Sequence, residues 1–96
     1  MKERKLAKSV ELMSLPSYQP DVLLDFVRQK LGVHTDRAMC KILGFSPVSI
    51  SKIRHRRIAV GAELLLAMHE ETEVPIKELK ALMGDHRDTS IRSKRL

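Results

Sequence analysis

The run Gly44-Phe45-Ser46-Pro47 constrains this chain more than any other. Glycine closes helices in left-handed backbone, serine caps the start of a new one, and proline suits a first helical turn but not the turns beyond it. One helix must therefore end at Gly44, and the next must begin at Ser46 with Pro47 in its first position. So short a connection forces the two helices to cross closely. A close crossing needs a small side chain at the contact, and Cys40 stands there as a small hydrophobe where alanine would be common. Ile50 and Ile53 supply the inward side of the second helix, with Val48 a weaker contributor.

Helical signals continue on both sides. A helix is predicted over about 20–31, because Pro20 suits the first turn and Asp21 complements the positive helix end. Leu23, Leu24, Phe26, Val27 and Leu31 recur there at helical spacing before Gly32 closes it. The helix ending at Gly44 starts after Thr35 as N-cap and buries Ala38, Met39, Ile42 and Leu43. After a loop across 56–61, a fourth helix over roughly 62–72 turns Leu64, Leu65, Ala67 and Met68 inward. A fifth starts at Pro75 and carries Ile76, Leu79, Leu82 and Met83 as far as Gly84. Leu6, Val10 and Met13 are spaced i, i+4, i+7, so residues 1–19 read either as a disordered basic arm or as a short amphipathic helix packed on a partner subunit. Residues 85–96 hold little to bury and read as a mobile basic tail. At 96 residues a single core accounts for the whole length, so the expectation is one compact, all-α, five-helix domain over 20–84 between that arm and that tail.

Charge narrows the partners. There are 18 Lys and Arg against 12 Asp and Glu, a formal net charge of +6 that favours polyanions. Lys2, Arg4, Lys5 and Lys8 make the amino terminus basic, and a second basic stretch over 21–57 ends in Lys52, Arg54, Arg56 and Arg57. Glu63, Glu70, Glu71, Glu73 and Glu78 make 62–80 acidic, so a basic face and an acidic face are expected. The aromatic residues are only Tyr18, Phe26 and Phe45, too few to stack single strands or RNA loops, which favours duplex nucleic acid.

Cys40 is the only cysteine, so no intramolecular disulfide or thiolate-held zinc is expected, and a reducing cytoplasm suits the chain. A redox role for Cys40 would require an exposed, acidified thiolate beside Arg37 and Lys41, and a buried small hydrophobe is the stronger reading. His34, His55, His69 and His86 are scattered, and His69 with Glu73 reads as a solvated i, i+4 pair. With no Ser/His/Asp arrangement, glycine-rich phosphate loop or plausible acid pair, neither an enzyme nor a cofactor is expected. The amino terminus lacks an apolar core of signal-peptide length, and no stretch approaches the ~20 apolar residues of a membrane span.

The segment DRAMCKILGFSPVSISKIRHR over 36–56, followed by ELLLAMHEETEVPIKELKALMG, resembles the lambda-repressor-like helix-turn-helix domains of the Cro and cI phage repressors and the related xenobiotic-response-element regulators. The resemblance covers about 21–84. Gly44 matches the turn glycine, Ser46 the recognition-helix cap, Ile50-Ser51 the family's Ile-Ser pair and Ile53 the core position after it. It implies that the third helix enters the major groove. Two positions depart from the pattern. Asp36 stands where a phosphate-holding glutamine is frequent, which leaves that contact to Arg37 or makes Asp36 a helix-start residue, and Pro47 stands where a polar base reader is frequent and offers only apolar contact. Base reading then rests on Pro47, Val48, Ser49 and Lys52, with Val48 on a thymine methyl, Ser49 on several bases and Lys52 on guanine O6 and N7. The phosphate set is Arg37, Ser46, Ser51, Arg54, His55, Arg56 and Arg57.

The expected activity is that of a sequence-specific duplex DNA-binding regulator, a repressor acting as a homodimer on a near-palindromic operator in the cytoplasm, at the nucleoid. Two alternatives stay open at this point. One is an antitoxin that represses its own operon while masking a toxin, and the other is a protein-interaction module whose basic surface has non-specific DNA affinity.

Overall fold

The structure is a computed structural model that describes residues 8–87. Among these residues every regular element is helical: α1 Lys8–Ser14, α2 Pro20–Lys30, α3 Asp36–Leu43, α4 Pro47–Arg54, α5 Ala62–Thr72 and α6 Ile76–Leu82. The five predicted helices are present as α2 to α6, and a sixth precedes them. No helix among the described residues is long and apolar enough to cross a membrane.

Local chemistry accounts for the boundaries. Thr35 is extended, at φ −130° and ψ 156°, and its hydroxyl accepts from the Ala38 N–H at 3.1 Å to open α3. Gly44 closes α3 in left-handed backbone, at φ 77°, with its N–H on the Cys40 carbonyl. Ser46 accepts from the Ser49 N–H at 3.1 Å and Pro47 follows in the first turn of α4. The α5–α6 joint carried no such glycine signal. There Glu73 takes the left-handed position at φ 63°, and the ring Nδ1 of His69 meets the Val74 carbonyl at 2.8 Å across the turn.

The core runs through every helix. Leu23, Leu24 and Val27 of α2, Met39, Cys40 and Leu43 of α3, Ile50 and Ile53 of α4, Leu64, Leu65 and Met68 of α5, and Leu79 of α6 are buried together. α3 packs on α4 and α5, while α2 touches α4, α5 and α6. Tyr18 is 1% exposed, and its hydroxyl accepts from the Val60 N–H at 3.3 Å beneath the loop after α4.

The amino-terminal segment differs from expectation. α1 packs on its own chain, and the side chain that enters the core is Leu12, whereas Val10 is exposed and Met13 half-buried. A helix of seven residues is too short for its spacing to select one face, and Leu6 and the rest of the basic arm over 1–7 lie outside the described residues. Ser17 and Gln19 fix the segment: the Ser17 hydroxyl donates to the Gly84 carbonyl at 2.6 Å and the Gln19 N–H to the Met83 carbonyl at 2.8 Å. Gly84 is at φ 79°, and a Cβ there would collide with the Ser17 carbonyl, so the approach of the two strands of chain requires glycine.

Beyond α6 the chain stays docked as far as it is described. Asp85 is buried and accepts from the side chain of Arg87, from Nε at 2.8 Å and Nη2 at 2.9 Å, and from its backbone N–H at 3.3 Å, while Arg87 Nη1 reaches Glu11 of α1 at 3.4 Å. Residues 85–87 of the predicted 85–96 tail are therefore held against the domain, and 88–96 lie outside the described residues. Leu79 and Met83 are interior to this chain, and the large apolar side chains left exposed include Val10, Val22, Ile42, Val48, Ile58 and Leu66.

Candidate nucleic-acid interface

α4 is held by one side and open on the other. Ile50 and Ile53 are buried at 0% and 3% exposure, which orients the helix by the period of its own sequence. The opposite side carries Val48, Ser51, Lys52 and His55 at i, i+3, i+4 and i+7, and Arg57 continues it into the loop. These five residues line one shallow depression of about 400 Å³. Val48 is 63% exposed, more than the other large apolar side chains left on the surface of the described residues.

The sequence-predicted reading set is divided by this geometry. Val48 and Lys52 fall on the open side, and Pro47 is exposed at the helix start. Ser49 is half-buried: it lines a different depression with Phe45 and Ile53, and its hydroxyl accepts from the Ser46 hydroxyl at 3.0 Å. Ser51, assigned from sequence to phosphate, stands beside Val48 and Lys52 instead. Two residues along a helix are a turn of ~200°, enough to set the hydroxyls of Ser49 and Ser51 on different sides. Ser46 is occupied as the N-cap.

His55 has a defined ring orientation. Its Nδ1 lies 2.9 Å from the Ser51 carbonyl, which can only accept, so Nδ1 is the donor in that contact. Arg57 and Lys52 have no carboxylate partner among the described residues, nor does Arg37 near the start of α3.

Arg54, half-buried, and Arg56, exposed, both bond to other parts of the chain. Arg54 donates from Nε to Asp36 Oδ2 at 2.7 Å and from Nη2 to Asp36 Oδ1 at 3.0 Å, the paired contacts of a bidentate fork. Its Nη2 also reaches Asp25 Oδ1 at 2.8 Å and its Nη1 reaches Asp21 Oδ1 at 3.1 Å. The hydrogen bond from Arg54 holds the Asp25 carboxyl below its ordinary range, and the Asp36 and Asp25 bonds push the Arg54 guanidinium further up. Arg56 adopts left-handed backbone at φ 60°, donates from Nη1 to the Tyr18 carbonyl at 3.1 Å, and lies 5.8 Å from the Tyr18 ring centroid. Both residues sit in the run of cations that the sequence assigns to phosphate, and both bridge to α2 or to the segment before it.

Pairing with Arg54 also resolves the position of Asp36. A carboxylate at the start of α3 would repel a phosphate, but here a cation neutralises it in a bidentate pair. Cys40 is buried, and burial pushes its thiol up, so the thiolate that redox chemistry needs is disfavoured. The glutamates of α5 and α6, Glu63, Glu70, Glu71 and Glu78, are exposed. Among the described residues no group of three or more His, Cys, Asp or Glu is arranged to hold a metal ion. No protein-family model, curated protein or solved structure matches this chain.

Proposed function

We propose that this protein is a sequence-specific regulator that binds duplex DNA, with α3 and α4 as a helix-turn-helix of the lambda-repressor-like kind and α4 as the helix that enters the major groove. The observation that carries the reading is the open side of α4, where an exposed valine, a hydroxyl, an imidazole and two cations form one stripe with no carboxylate among them. Such a stripe has the chemistry of a major-groove edge: Val48 packs on a thymine methyl, Ser51 and His55 exchange hydrogen bonds with base edges, and Lys52 donates to guanine. Arg57 and Arg37 grip phosphates on either side, while Arg54 and Arg56 hold the helix in place.

One stripe of this size gives limited affinity. Two copies bound to half-sites ~34 Å apart multiply it, so the protein acts as a homodimer on a near-palindromic operator, and occupancy of that operator represses transcription at the nucleoid. The test is selection of bound duplexes from a random pool at near-physiological salt. An enriched near-palindrome is expected, and recovery of DNA without a shared sequence would overturn the reading.

A further inference from the structure

We infer that Arg54 is a positioning residue for sequence reading, which locks the far end of α4 to α2 and α3 and does not itself hold DNA. The inference rests on the duplex-binding reading of α4. Arg54 is the last residue of that helix, two positions past Lys52 and one before His55. Four of its donor contacts go to three carboxylates on two other helices, Asp21 and Asp25 of α2 and Asp36 of α3. Its side chain is 22% exposed, less than any of the three it binds. A planar fork of five N–H donors engaged in this way has little left for a phosphate.

The rest of α4 explains why such a lock matters. The start of the helix is fixed by the Ser46 cap and its inner side by the buried Ile50 and Ile53, and the directional bonds of Arg54 add a third hold at its last residue. Base contacts need placement to a fraction of an ångström, whereas phosphate contacts tolerate more. Directional bonds to Asp36 on one side and Asp25 on the other set the rotation that presents Lys52 and His55 together. Losing the fork should therefore reduce discrimination between sequences more than it reduces binding to DNA in general.

Arg54→Lys tests this, because it keeps the charge and removes the bidentate fork. Using the operator recovered by selection and an unrelated duplex, the expected result is a five- to tenfold fall in the affinity ratio, of the order of one lost base contact, with unchanged non-specific affinity and unchanged salt slope. A merely structural role would lower both affinities together through loss of folded protein. A phosphate role predicts a second signature: Asp36→Asn would release the guanidinium, tighten binding to both duplexes and steepen the salt slope by ~1 unit. The positioning role predicts that Asp36→Asn also lowers the ratio, which keeps the assignment testable should Arg54→Lys fail to fold. Wild-type protein that discriminates, beside an Arg54→Lys protein that discriminates equally, would overturn the assignment alone. Wild-type protein with no preferred duplex would overturn the DNA reading and this assignment with it.

Discussion

The two sides of α4 are built from opposite chemistry. Its inner side is satisfied: Ile50 and Ile53 are buried in the common core, and Arg54 has a carboxylate for each edge of its guanidinium. Its outer side leaves Val48 in water, keeps Lys52 and Arg57 without a carboxylate among the described residues, and leaves the His55 ring exposed. A helix needs its inner side to fold and gains nothing in stability from its outer one. The contrast teaches that the cations following the turn are of two kinds, those that complete the protein and those left available to a polyanion.

The sharpest way to break that contrast is to truncate one residue from each side. Ile50→Ala should lower unfolding free energy by about 2–5 kcal/mol in urea titrations, whereas Val48→Ala should stay within about 0.5 kcal/mol and act only on DNA affinity. Equal losses would erase the distinction between the two sides. The ionic part of the inner side is worth less, since its carboxylates are substantially exposed. Arg54→Met should cost about 1–2 kcal/mol, between an exposed pair and a buried one, and a loss indistinguishable from zero would reduce the lock to a surface ion pair. Ser46→Ala, which removes the N-cap that starts both sides, should cost ~1 kcal/mol.

Acid sharpens the same comparison. Asp25 is held below its ordinary range chiefly by Arg54, and Asp85 chiefly by Arg87. A carboxyl depressed in the folded state stabilises fully above its unfolded pKa and loses that contribution as pH falls through the folded value. Melting temperature should therefore drop as pH is taken from about 5 to about 2, and Arg54→Met should drop less over that range because the Asp25 contribution is already gone. A parallel decline in both proteins would detach Asp25 from Arg54. The smallest effect belongs to the outer side: Arg57→Ala should leave stability unchanged and flatten the salt dependence of DNA binding by ~1 unit, and an unaltered slope would remove Arg57 from the phosphate set.

What could be read from sequence follows from how local each signal is. Thr35, Gly44, Ser46 and Pro47 act on backbone within a few residues, so the ends of α3 and the start of α4 stand where the sequence places them. The face of α1 was not legible, because a seven-residue helix offers too few turns for Val10, Leu12 and Met13 to declare an inward side, and Leu12 is the one that enters the core. Ile42 shows the same limit in α3: Cys40 and Met39 take the interior and leave it exposed. Ser49 and Ser51 stand two residues and ~200° apart on α4, and packing decides which of them faces the open side.

The engagement of Arg54 was further out of reach. Its partners Asp21 and Asp25 lie 33 and 29 residues away in sequence, and only the folding of α2 against α4 brings them together. The signal that existed was indirect: three aspartates in an otherwise basic stretch call for a cation nearby. A basic run beside a recognition motif reads uniformly as phosphate-binding until the acids that claim part of it are located.

The most direct test of the claim that the open side of α4 reads DNA is a backbone amide shift map of isotope-labelled protein, titrated with the duplex recovered by selection. The account predicts the largest perturbations at Val48, Ser51, Lys52, His55 and Arg57, with α5 and α6 nearly unmoved. Perturbations concentrated on α5 and α6, or around Leu12 and Arg87, with α4 silent, would contradict it.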